Sequence, residues 1–106
     1  MIIEILDRKK SIIYDATEDF ISIDWSFDDR DDKNIVTLKM NVTNDVLKNI
    51  LKSSKKKAVY IRLVMHDVTS SIYTLCKIRH PIIFLDYSDM CVISCEKGED
   101  TIINYN

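Results

Sequence analysis

One glycine and one proline are spread over the whole 106-residue chain. With a single glycine there is no glycine-rich turn to cradle a phosphate, which excludes both the Walker and the dinucleotide-binding loops. Alanine occurs twice and glutamate four times, so strong helix formers are scarce. No apolar run approaches the roughly 18–20 residues of a bilayer-crossing helix. The opening "MIIEILDRKK" places its charges after a short apolar stretch, the reverse of a secretory signal, and is expected to be a first strand. Three cysteines, an odd number, do not suit a disulfide framework; reduced, buried thiols in a cytosol are expected. A net charge of −2 exerts no general pull toward nucleic acid or acidic membrane. Repeats, low-complexity tracts and linkers are missing too, so residues 1–106 should form a single β-rich domain.

What is abundant is isoleucine, 17 residues of it. Isoleucine with Val, Thr, Tyr, Phe and Trp suits a pleated, half-buried surface. In "DFISIDWSFDD", Ile21, Ile23, Trp25 and Phe27 alternate with Ser22, Asp24 and Ser26. In "NIVTLKMNV", Val36, Leu38, Met40 and Val42 alternate with polar residues. Period 2 marks strands with one buried and one wet face, joined here by the acidic "DDRDDK" turn of a hairpin. A second such row is Val59, Ile61, Leu63 and Met65. Ile21, Ile23, Trp25, Phe27, Val36, Leu38, Met40, Val59, Ile61 and Leu63 are therefore the expected core.

Between the two rows the period changes. Val46, Leu47, Ile50 and Leu51 recur at helical spacing, Thr43 or Asn44 can cap the start, and lysines suit the end. One helix is expected near residues 44–54. After it come a hairpin turning at His66–Asp67, a strand that begins after Pro81 ("IIFLDY"), "MCVISCE", a turn at Gly98 and a final "TIINYN". The expected class is mainly β, a β-rich α+β fold: an antiparallel barrel or sandwich of about eight or nine short strands with one helix.

Candidate sites divide by charge. Asp28, Asp29, Asp31 and Asp32 crowd one turn, but a calcium loop needs a glycine and a closing glutamate, both missing here, and Arg30 competes for the carboxylates. The segment reads as a wet turn able to serve as a contact surface. Cys76, His80, Cys91 and Cys95 spell a zinc-like set, yet Cys91 and Cys95 span about 13 Å of strand, whereas thiolates on one zinc lie within about 4 Å of each other. No metal or cofactor is expected. His66, Asp67, Ser70 and Ser71 lack a strained, glycine-flanked nucleophile and an oxyanion donor set, so no catalytic residue is assigned and the chain is expected not to be an enzyme.

The charges are also segregated along the chain. Residues 1–34 hold ten acidic and five basic side chains, 5 − 10 = −5, while residues 46–66 hold six basic and no acidic ones. The lysines Lys52, Lys55, Lys56 and Lys57 are thus a second candidate contact surface, complementary to the acidic turn of another copy in a head-to-tail contact. Nucleic acid is disfavoured as a partner, since only Tyr60 and Tyr73 lie near enough to stack on bases.

The stretch "IIYDATEDFISIDWSFDDRDDKNIVTLKMNV…KAVYIRLVMHDVTSSIYTLCKI", residues 12–78, resembles the small β-barrel domains of phage tail and baseplate-hub proteins. Those domains read as a "YD-x-T" entry, an alternating strand around Trp-Ser, a charged turn, a second strand, a short excursion and a hairpin. The resemblance implies a building block that works through interfaces, with no catalytic residues to transfer. Residues 36–75 also resemble, in strand–helix–strand–strand order, one subdomain of a sliding clamp, which would make the protein a clamp-like DNA-binding subunit. The leading expectation is a non-enzymatic structural or assembly protein of a phage tail, baseplate or related particle, acting as a homo-oligomer or within a larger assembly. The alternative is a small binding protein that inhibits or regulates another protein through its acidic face. A membrane partner is not expected.

Overall fold

The two-residue rhythm is realised as strands throughout. The structure, a computed structural model, describes residues 1–55, 57–85 and 88–105. The elements run β1 (Ile2–Leu6), β2 (Ile12–Asp15), a 3-10 turn (Thr17–Asp19), β3 (Phe20–Asp28), β4 (Lys33–Asn41) and α1 (Asp45–Lys52). They continue as β5 (Tyr60–His66), β6 (Ser70–Ile78), β7 (Ile83–Phe84) and β8 (Met90–Asn104). Among the described residues the eight strands form one antiparallel sheet in the order β2-β1-β5-β6-β8-β4-β3, with β7 paired to β8. The sheet does not close, so one open sheet stands where a barrel or sandwich is expected. Its edges are β2 and β3, which are consecutive in the chain and linked by the 3-10 turn alone.

Registers show which residues share the core face. Ile5 faces Ile61, Ile61 faces Cys76, Ile78 faces Cys95, Cys95 faces Val36 and Val36 faces Trp25. Leu47 and Leu51 of α1 join the strand residues in one buried cluster. Asn44 caps the helix by accepting from the backbone N–H groups of Val46 (2.9 Å) and Leu47 (3.3 Å), and Asp45 and Lys52 complement its dipole. The helix matches the expected segment.

The core expectation holds for Val36, Leu38, Met40, Ile61 and Leu63, all buried, and in part for Ile23, which packs against the cluster from the edge. It fails for Ile21, Trp25 and Phe27, which are exposed. Ile21 sits in a bulge, since the register skips from Phe20 to Ser22, and is left out of the core-facing row. Trp25 and Phe27 do lie on the core-facing side, but β3 is the outermost strand and no described element covers its far end. Val59 is only half-buried because it precedes β5, and its backbone ties β1 to the end of β6 (Val59 N–H to Leu6 O, 3.0 Å; Ile78 N–H to Val59 O, 2.9 Å).

Gly98 is no turn either. It lies inside the 15-residue strand β8, where a Cβ would stand 2.5 Å from the carbonyl oxygen of Leu75 on β6. A register irregularity between Thr74 and Cys76 draws the two backbones together there. Turn positions that favour glycine are filled instead by Lys10 (φ 66°) and Asp32 (φ 53°). The strand expected after Pro81 shrinks to two residues within the described part, with residues 86–87 outside it.

Candidate functional site

The far end of β3 leads into the acidic turn, and both present chemistry to solvent. Trp25 and Phe27 are each 52% exposed, on a strand with β4 on one side and an unpaired edge on the other. An open edge carrying large apolar side chains is the feature that soluble proteins ordinarily blunt. Asp24 and Asp28 on the opposite side of the strand supply part of that blunting.

The turn itself is built locally. The Asp28 carboxylate accepts from the Arg30 backbone N–H (3.0 Å), and Asp32 takes the left-handed conformation that closes the hairpin. Arg79, just beyond β6, reaches across to Asp28 (3.3 Å), Asp31 (3.4 Å) and Glu96 (3.5 Å). Its hydrogen bond holds the Asp28 carboxyl below the usual carboxylate range, helped by the Arg30 backbone N–H. The competing cation is therefore Arg79; Arg30 stands 3.9 Å from Asp28 and points to solvent. Asp28 and Asp31 are engaged within the chain, while Asp29, Asp31 and Asp32 are exposed at the tip.

The lysines meet in a different way. Leu51, Ile82 and Phe84 floor a cleft of about 450 Å³, and Lys52, Lys55 and His80 stand at its rim. The Lys52 Nζ lies 5.9 Å from the centre of the Phe84 ring. The Ser54 hydroxyl and His80 Nδ1 are 3.1 Å apart, tying the end of α1 to the β6–β7 connection. Burial, and then the nearby Lys55 charge, push the His80 pKa down, so the imidazole favours its neutral form. Lys57 lines a neighbouring groove with Arg8, Lys9 and Ile50. Lys56 lies outside the described residues. No carboxylate lines the lysine cleft among the described residues.

The acidic tip and the basic cleft are each tied to the chain just beyond β6, at consecutive residues. Arg79 holds the tip and His80, the next residue, belongs to the cleft. Nothing in the spacing of residues 28–32 signals Arg79 as their partner; the bond joins residues 51 positions apart.

Other sequence candidates land elsewhere. Cys76, Cys91 and Cys95 are free and buried, and Cys91 and Cys95 stand on one face of β8 with Ile93 between them. Burial pushes Cys76 and Cys91 up to about 11 and Cys95 well above its ordinary value. His66 and Ser71 are cross-strand partners, with Nδ1 2.6 Å from Oγ and the Tyr105 hydroxyl bonded to Ser71. Ser71 is 1% exposed, and the cluster fastens the end of β8 to the β5–β6 hairpin. Tyr60 and Tyr73 each carry a cation of this chain over the ring, Lys10 at 5.8 Å and Arg62 at 5.6 Å. Among the described residues no helix is long and apolar enough to cross a membrane. Comparison with protein-family models, with curated proteins and with solved structures returned no match to this chain.

Proposed function

We propose that the protein is a non-enzymatic assembly component that works through protein–protein contacts, with the apolar end of β3 as its principal contact surface. The observation that carries this reading is Trp25, half in solvent on an unpaired edge strand although its register partner Val36 is buried. Leaving an indole in water forgoes roughly the burial energy of a large aromatic side chain, which a partner recovers on docking. The likeness of residues 12–78 to phage tail and baseplate-hub domains supports a place in such a particle.

Trp25 is the only tryptophan, so it reports on its own contact. Intrinsic fluorescence and light scattering recorded over a concentration series test the reading. Emission typical of a wet indole in the dilute chain, shifting to the blue as mass rises, supports it. A strictly monomeric chain whose emission never shifts overturns it.

A further inference from the structure

We infer that the partner is a second copy, and that the acidic hairpin tip of each copy docks in the lysine cleft of the other. This rests on the proposed contact role of β3 and adds its occupant. The plug is Phe27, half-exposed, followed by the exposed carboxylates Asp29, Asp31 and Asp32. The socket has the inverse character, an apolar floor of Leu51, Ile82 and Phe84 beneath Lys52 and Lys55, with no carboxylate among its described lining residues.

The chemistry of the socket favours spread carboxylates over a single phosphate. Its cations are lysines, point charges on flexible stems, without an arginine fork or a nest of backbone N–H groups. The helix end it borders presents carbonyls, two of which are satisfied within the chain: Ser53 N–H donates to Asn49 O (3.1 Å) and Ser54 N–H to Leu51 O (3.3 Å). An extended segment with an aromatic residue beside several carboxylates fits both parts of the socket, and this chain contains one.

Plug and socket are separate surfaces of one copy, Arg79 anchoring the first and His80 belonging to the second. A two-fold axis between two such copies brings each tip to the opposite cleft at once, so the contact closes as a dimer. Complementary charge of this kind sets register and weakens as salt screens it.

The test is charge exchange followed by sedimentation velocity. The cleft variant carries Lys52→Glu and Lys55→Glu; the tip variant carries Asp29→Lys and Asp31→Lys. The wild-type dimer should weaken about tenfold or more between low and high salt, neither variant alone should dimerise, and an equimolar mixture of the two should restore dimers. Circular dichroism and unfolding midpoints establish that both variants fold; Lys52→Gln with Lys55→Gln, which should weaken the dimer without abolishing it, is the milder form. Variants that dimerise as the wild type does overturn this inference, as does a mixture of folded variants that stays monomeric. In either case a Trp25 blue shift on association would leave the proposed role of β3 standing. A wild-type chain that never associates removes both.

Discussion

Trp25 and Val36 stand directly opposite each other on β3 and β4, yet Val36 is fully buried and Trp25 is 52% exposed. Paired residues of an antiparallel ladder point to the same face, so the difference is one of position across the sheet. Val36 has β8 on its other side, with Cys95 as its partner there, and belongs to the core cluster. Trp25 is one strand farther out, where the sheet ends.

The stability of the monomer should follow that gradient. Leu38→Ala, at a fully buried site, should cost about 2–5 kcal/mol. Trp25→Ala, despite deleting more atoms, should cost no more than about 1 kcal/mol in the dilute chain. Urea denaturation of both variants decides it. Equal losses would mean that Trp25 is part of the core after all.

Gly98 should tolerate no side chain. Gly98→Ala places a methyl group 2.5 Å from the Leu75 carbonyl oxygen, against backbone that cannot rotate away. A loss of about 1–3 kcal/mol is expected, with the β6–β8 amides the first to gain hydrogen exchange. A neutral Gly98→Ala would mean that the two strands are not pinned so closely.

Lys10 should behave in the opposite sense. It adopts φ 66°, a conformation that glycine enters at no steric cost. Lys10→Gly should stabilise the chain by about 0.5–1 kcal/mol, even after losing its exposed contact with Tyr60. A lower unfolding midpoint in this variant would count against the turn geometry.

Arg79 should set the acid sensitivity of the hairpin. Its bond lowers the Asp28 pKa in the folded chain, so the stabilisation is complete above the ordinary carboxylate value of about 4 and is lost as pH falls through the lower folded value. Arg79→Met should return the Asp28 carboxyl resonance toward an ordinary titration and flatten stability on the acid side. An unchanged Asp28 titration would show that Arg79 does not hold the tip.

The three thiols should be silent until the chain opens. With Cys76 and Cys91 near 11 and all three buried, only about one thiol in a thousand at those two sites is ionised at pH 8. Reaction with a thiol reagent should run at the rate of unfolding and become fast in denaturant. A thiol that labels rapidly in native buffer would contradict its burial.

Local rules carried far along this chain. The rhythm of two named β3 to β6, the change of period located α1 and its Asn44 cap, and the odd cysteine count matched three buried free thiols, because alternation, capping and burial preference depend on near neighbours. Only the assembled sheet decided that β3 would be an edge, that Gly98 would sit where two strands nearly touch, and that Arg79 would reach the acidic turn 51 residues away. Whether an apolar row is covered, and which cation meets which carboxylate, depends on strand order and register between distant segments. Period 2 says which residues share a face and nothing about what, if anything, lies over it.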